Sequence, residues 1–198
     1  MAIFEDILLT LTDNINKRGK AMLALSGGST PLDLYEKLSK QDLDWSKVTV
    51  TLIDDRLVPA DHEDSNQRLV RLALLKNAAS KAKLIPLEEW PQDQIPDVGV
   101  LGMGLDGHVA SLFPAMMNNR LAFDPNASPA VIITPPFGQP RRARITMTLS
   151  MILAIPYRVL IVLGEEKISL LNSKFNNADV PVTRLLSAGG TLITHKKY

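Results

Sequence analysis

The chain has 198 residues, 45% of them hydrophobic and 22% charged, with 22 basic against 21 acidic side chains and no cysteine. This length and apolar content suit a single domain over residues 1–198 with a sizeable core. The even charge leaves no visible source for the phosphate attraction that dominates nucleic-acid binding, and the missing thiols exclude disulfides, thiolate metal sites and cysteine nucleophiles.

The N-terminal segment IFEDILLTLTDNINKRG mixes acids with its apolar residues, unlike a secretory leader, and no apolar stretch approaches about 18 residues, so the reading is cytoplasmic with no membrane contact. Ile3, Phe4, Ile7, Leu8, Leu11 and Ile15 recur at helical spacing and predict an amphipathic helix over 2–17. Ala21 to Leu25 reads as a buried strand, followed at once by Ser26-Gly27-Gly28-Ser29-Thr30-Pro31. Thr30 is placed as N-cap and Pro31 as first residue of a helix running through Leu34, Tyr35 and Leu38. Val48 to Ile53 predicts a second strand, ending in a charged loop that opens with Asp54-Asp55-Arg56. Ser65-Asn66 would cap a helix over 67–79 with Leu69, Leu72, Ala73 and Leu75 on its apolar side. Leu84 to Leu87 reads as a short strand, and 88–97, with two prolines, as a loop.

Val98 to Met103 is the next strand and leads into LGMGLDGHVASLFP, residues 101–114, with a short helical segment expected after His108. Residues 118–129 read as a loop, Val131 to Thr134 and Arg144 to Thr148 as strands, and Leu149 to Ala154 as helix. Arg158 to Leu163 reads as a strand, Glu165 to Phe175 as a helix carrying Lys167, 182–187 as a short helix and Thr191 to Thr194 as a strand. Strands alternating with helices predict an α/β fold, a mostly parallel sheet flanked by helices, with ligand sites at the carboxyl ends of the strands. The loops at 26–30, 54–58, 102–108 and 164–167 would then converge.

Each chemical signal has a bland counterpart. The Ser-Gly-Gly-Ser-Thr turn is either an anion cradle of free N–H groups or only a tight strand-to-helix turn. Gly102, Gly104 and Gly107 match G-x-G-x-x-G, but Asp106 would set a negative charge beside a dinucleotide pyrophosphate. His108 can move a proton near neutral pH or simply be a satisfied structural histidine. Asp61 to Asp64 reads as a solvated acidic loop, and Arg142 and Arg144 as a fork on one strand face.

Taken together and in this order, SGGSTPLDLYEKL, DDRLVPADHEDSN, LGMGLDGHVASLFP, RITMT and VLGEEK closely resemble the glucosamine-6-phosphate isomerase/6-phosphogluconolactonase family, on its lactonase side. The resemblance implies the α/β fold shared with glucosamine-6-phosphate deaminase and ribose-5-phosphate isomerase, and hydrolysis of 6-phospho-D-glucono-1,5-lactone in the oxidative pentose phosphate pathway. It implies His108 as general base with Asp106 holding its imidazole, and Gly27, Gly28, Ser29, Thr30, Arg56, Lys167 and Arg144 around the substrate phosphate. A small sugar-phosphate lactone is the implied partner, and neither a metal nor an organic cofactor is needed. Glu88 to Asp97 is shorter than the corresponding family segment, and Ala115 and Asp55 stand where glycine and glutamate are frequent. An amino-sugar phosphate isomerase and a noncatalytic sugar-phosphate sensor are the competing readings. Ser111-Leu112-Phe113-Pro114 lacks the acid expected of the first, and a pure sensor has no need of His108 and Asp106.

Overall fold

The structure, a computed structural model, describes residues 3–173, 175 and 178–195. α1 (Ile3–Arg18) buries Phe4, Ile7, Leu11 and Ile15, one side of the helix, with acids in its first turn and Lys17 and Arg18 in its last, as the helix dipole favours. β1 (Ala21–Leu25), α2 (Leu32–Ser39) and β2 (Val48–Leu52) follow. β1 reads AMLAL and is buried at all five positions, the pattern of a parallel strand covered on both faces.

β3 (Asp54–Arg56) begins one residue after β2, and α3 (Asn66–Ala73), β4 (Lys83–Leu84) and β5 (Val98–Gly102) continue the chain. After α4 (Arg120–Phe123) come β6 (Val131–Phe137), β7 (Arg142–Met147), α5 (Leu149–Ala154), β8 (Tyr157–Ile161), α6 (Glu165–Asn172), α7 (Pro181–Ser187) and β9 (Thr191–Thr194). Six strands stand in the order β4-β2-β1-β5-β8-β9, every neighbouring pair parallel. The chain builds outward from β1 to β4, then returns to β5 on the other flank of β1. The order therefore reverses between β1 and β5, and a crevice opens beyond their carboxyl ends.

The second sheet, β3-β7-β6, is antiparallel and corrects the reading of Asp54-Asp55-Arg56 as a loop. Asp54 pairs with Thr146 and Arg56 with Arg144, and both aspartates are buried. Ile53 is the junction: its N–H donates to the Leu25 carbonyl at 2.9 Å and its carbonyl accepts from Met147 N–H at 2.9 Å.

Other expectations shift locally. Pro31, not Thr30, occupies the cap position of α2, and no side chain caps that helix. α3 starts after Ser65, whose hydroxyl accepts from Arg68 N–H, but it stops near Leu74, and a 3-10 turn over Asn77–Lys81 takes the rest of the expected span. Its buried side chains include Val70 and Leu74, while Leu72 is 61% exposed, so the expected stripe is rotated. The strand expected at 84–87 is shorter, and Leu87–Glu89 forms a 3-10 turn. α4, capped by Asn119, stands where a loop was expected. β6 runs on past Thr134 through Pro135 and Pro136 to Phe137. Residues 2 and 174, included in expected helices, lie outside the described residues.

Arg158 ties the far side of the sheet together. Nearly buried on β8, it donates to the carbonyls of Leu153, Ile155 and Gly189 at 2.5, 2.6 and 2.8 Å and to Thr191 Oγ1 at 3.3 Å, joining the end of α5 to the loop that enters β9. A buried acceptor left without a donor costs about 1–3 kcal/mol. Arg158→Ala is expected to lower unfolding stability by roughly 2–4 kcal/mol, read as a lower denaturant midpoint at unchanged slope. An unchanged midpoint would remove Arg158 from the list of structural ties.

Candidate active site

The crevice at the switch point is a cavity of about 270 Å³. Its first wall is the turn after β1. Ser26 N–H continues the ladder to Val100 O, and Tyr35 Oη donates to the Ser26 carbonyl at 2.7 Å, fixing where the turn begins. Beyond it, the N–H groups of Gly27, Gly28, Ser29 and Thr30 donate to no acceptor among the described residues, and all four residues line the cavity at the start of α2. Gly28, at φ 84, takes the left-handed conformation that the turn requires. Unpaired amides at a helix start make a surface for an anion.

Cations complete that surface. Arg56, Arg144 and Lys167 line the cavity against a single lining carboxylate, Asp54. Alternation along β3 puts Asp54 and Arg56 on one face, and the antiparallel pairing of Arg56 with Arg144 brings the two guanidiniums side by side. Arg56 Nη1 donates to the Asp64 carbonyl and to Asn66 Oδ1, each at 2.9 Å. The Nε atoms of both arginines are buried without a protein partner. Burial, with the charge of Arg56 adding to it, lowers the Arg144 pKa from its ordinary value. Lys167, near the start of α6, makes no ion pair among the described residues. Arg142, the other half of the expected fork, turns away and pairs through Nε with Asp64 Oδ2 at 2.7 Å. Asp64 is thereby more than part of a solvated loop.

The opposite wall is the loop after β5. No helix starts at His108: Val109 bridges back to Met103 and forward to Leu112, with Ala110 at φ 56, a strained conformation for a residue with a side chain. His108 lines the cavity, its ring 4.7 Å from that of Phe113. Nδ1 lies 2.5 Å from Asp106 Oδ1, so Nε2 is the nitrogen left for other chemistry. Asp106 itself is not among the lining residues and reaches the site only through the imidazole. Gly104 makes this pair possible, since a Cβ there would fall 2.1 Å from His108 Cε1 and 2.2 Å from Nδ1.

Two lining residues had only weak signals in the sequence. Asp54 Oδ2 accepts from Ser111 Oγ at 2.5 Å and lies 4.0 Å from Arg144 Nη1. Asn66, expected only as part of a cap, is buried in the cavity wall. Asp55, one residue on, faces away and accepts from the N–H groups of Arg56, Asn66 and Gln67 and from Ser65 Oγ. Burial raises its pKa, against the lowering effect of those donors.

The chain is similar to known proteins over most of its length. The model of a family described as glucosamine-6-phosphate isomerases/6-phosphogluconolactonase matches residues 1–94 and 87–194. A 6-phosphogluconolactonase of Neisseria meningitidis serogroup A is 37% identical over 195 residues, covering 89% of this chain and 84% of its own. One from Rhizobium meliloti is 37% identical over 204 residues, covering 93% and 88%. The crystal structure of a 6-phosphogluconolactonase from Shewanella baltica superposes with a TM-score of 0.84 at 35% identity, over 96% of this chain and 90% of that one.

The Asp106–His108 contact predicts a titration. Burial alone would raise the Asp106 carboxyl, but the hydrogen bond and charge of His108 outweigh it and hold the pKa below its ordinary value. The contact's contribution is therefore present above the ordinary carboxylate range and is lost as pH falls through the lowered value. In His108→Ala, carboxyl ¹³C NMR should show Asp106 titrating at higher pH than in wild type. An unmoved titration would mean that the two side chains do not interact in solution.

Proposed function

The chain belongs to the glucosamine-6-phosphate isomerase/6-phosphogluconolactonase family, and we propose that it hydrolyses 6-phospho-D-glucono-1,5-lactone to 6-phosphogluconate with His108 as general base. The observation that carries this reading is the shared cavity: free amides and three cations on one wall, and a histidine with its Nδ1 already engaged on the other. A phosphate held by Gly27, Gly28, Ser29, Thr30, Arg144 and Lys167 would present the lactone ring toward Nε2 of His108. Arg56, on the same wall as those cations, serves the phosphate.

In the reaction, Nε2 takes a proton from water as the water oxygen attacks the lactone carbonyl carbon. The carbonyl π electrons move to oxygen, where loop amides stabilise the charge. The oxyanion then collapses, the bond to the ring oxygen breaks, and the imidazolium returns its proton to that oxygen. Asp106 keeps the Nδ1 proton in place and stabilises the transient imidazolium, the orienting role a carboxylate plays beside any catalytic histidine. Nothing in this sequence of steps calls for a covalent intermediate, because the lactone is already an activated ester.

The isomerase reading needs an acid free to shuttle protons between adjacent sugar carbons. Asp54 is a carboxylate in the cavity, but Ser111 and Arg144 already engage its Oδ2, which favours hydrolysis.

The deciding measurement is consumption of freshly prepared lactone above its spontaneous hydrolysis. Wild type is expected to accelerate it, and His108→Ala to lose about 10²–10⁴-fold in kcat. Asp106→Asn should retain binding and lose part of kcat. A wild type that adds nothing to the background overturns the lactonase reading, and a fully active His108→Ala removes His108 as the base.

A further inference from the structure

Asn66 lines the cavity, is only 2% exposed, and enters no step above. Both ends of its amide are committed: Nδ2 donates to the Asp54 carbonyl at 2.9 Å and Oδ1 accepts from Arg56 Nη1 at 2.9 Å. Turned over, the amide would set oxygen against a carbonyl and NH₂ against a guanidinium, so a single orientation satisfies both partners. Its backbone is equally fixed, with the N–H donating to Asp55 Oδ1 at 2.6 Å.

The space that Asn66 fills belongs to another loop. A Cβ on Gly27 would lie 1.8 Å from Asn66 Oδ1 and 2.2 Å from Cγ. Gly27 does not take the left-handed conformation that requires glycine at Gly28. What demands the missing side chain at Gly27 is therefore occupancy by Asn66. The two acceptors on Arg56 Nη1 are an amide and a carbonyl, both uncharged. They set the direction of the guanidinium without neutralising it, and its Nε remains unpaired. A carboxylate at position 66 would give similar shape but cancel the charge.

We propose that Asn66 is a positioning residue that aims a fully charged Arg56 into the cavity, and that Gly27 is glycine to admit it; this rests on the reading of the cavity as a sugar-phosphate lactone site. Asn66 holds Arg56 in one geometry, so the anion meets an arginine that needs no reorganisation.

The test is a double-mutant cycle on lactone turnover, joined to calorimetric binding of 6-phosphogluconate and of unphosphorylated gluconate. Removing one hydrogen bond to a charged group, Asn66→Ala should raise KM and weaken 6-phosphogluconate binding by about 3–10-fold. Asn66→Asp, close to isosteric, should weaken it at least as much, with gluconate binding changed less than twofold. Arg56→Ala/Asn66→Ala should match Arg56→Ala within about twofold, the signature of a residue acting through another. Gly27→Ala should reproduce the Asn66→Ala defect, which keeps the proposal open to test if that variant folds poorly. Multiplicative effects in the cycle, or an Asn66→Asp protein that binds 6-phosphogluconate as wild type does, would overturn the proposal. Should wild type fail to turn over lactone, the hydrolytic reading falls while the binding data still decide the role of Asn66.

Discussion

The cavity depends on one backbone constraint, the passage of the chain through Ile53 from a parallel sheet into an antiparallel one. Ile53 donates to Leu25 on β1 and accepts from Met147 on β7, so the two sheets are locked at the place where β1 ends. The next three residues are then held as a strand, and the period of two sends Asp54 and Arg56 to the cavity and Asp55 to the other side. Facing away, Asp55 accepts from the first amides of α3, which is where Asn66 starts. One junction thus places a cation, a carboxylate and a helix start, none of which could move without moving the rest.

Buried charge at that junction has to be compensated, and the compensation shapes the site. Asp54 takes a hydroxyl from Ser111 and faces Arg144, while Asp55 takes three backbone amides and the Ser65 hydroxyl. Ser111 belongs to the loop that carries His108, so the bond to Asp54 also fastens the proposed base to the wall that holds the cations. Arg56 and Arg144 receive less than full compensation, with both Nε atoms buried and unpaired. Unmet donors on charged groups are costly inside a protein, and their persistence beside free loop amides is the electrostatic case for an anion.

How much of this could be read in the sequence follows from what each signal depends on. The parallel sheet was legible because its strands are short apolar runs ending at turn residues, as in AMLAL before Ser26 and VGVLG before Met103. The turn at 26–30 and the loop at 102–108 were legible because glycine at a strand end has few other uses. β3 was not legible, since Asp54-Asp55-Arg56 looks like a solvated turn until β7 supplies the partner strand, and that pairing joins residues far apart in the chain. The roles of the glycines were only half legible. Composition shows that Gly27 and Gly104 lack side chains but cannot show that Asn66 and the His108 ring fill those spaces. The fork of Arg142 and Arg144 failed because Asp64 claims Arg142.

The segment at 88–97, expected to be short for the family, bears on the site less than its position in the sequence suggests. Leu84, the last residue of β4, pairs with Val50, Val50 with Leu23, and Leu23 with Val98 at the start of β5, so the two ends stand level and the chain has only to cross the width of β2 and β1. Three strand spacings come to about 14 Å, a distance that an extended stretch of a dozen residues covers without a helix. Leu87 and Trp90 bury their side chains along this path, Gln92 Oε1 accepts from Val131 N–H on β6, and Asp97 accepts from Met22 N–H and pairs with Arg18. The connection is therefore anchored against α1, β1 and the second sheet, and it delivers β5 in register with β1. Because the loop bearing His108 leaves from the far end of β5, the length of this crossover is decoupled from the geometry of the proposed base. The two family matches, 1–94 and 87–194, overlap largely in this same stretch, and the cavity takes residues from both.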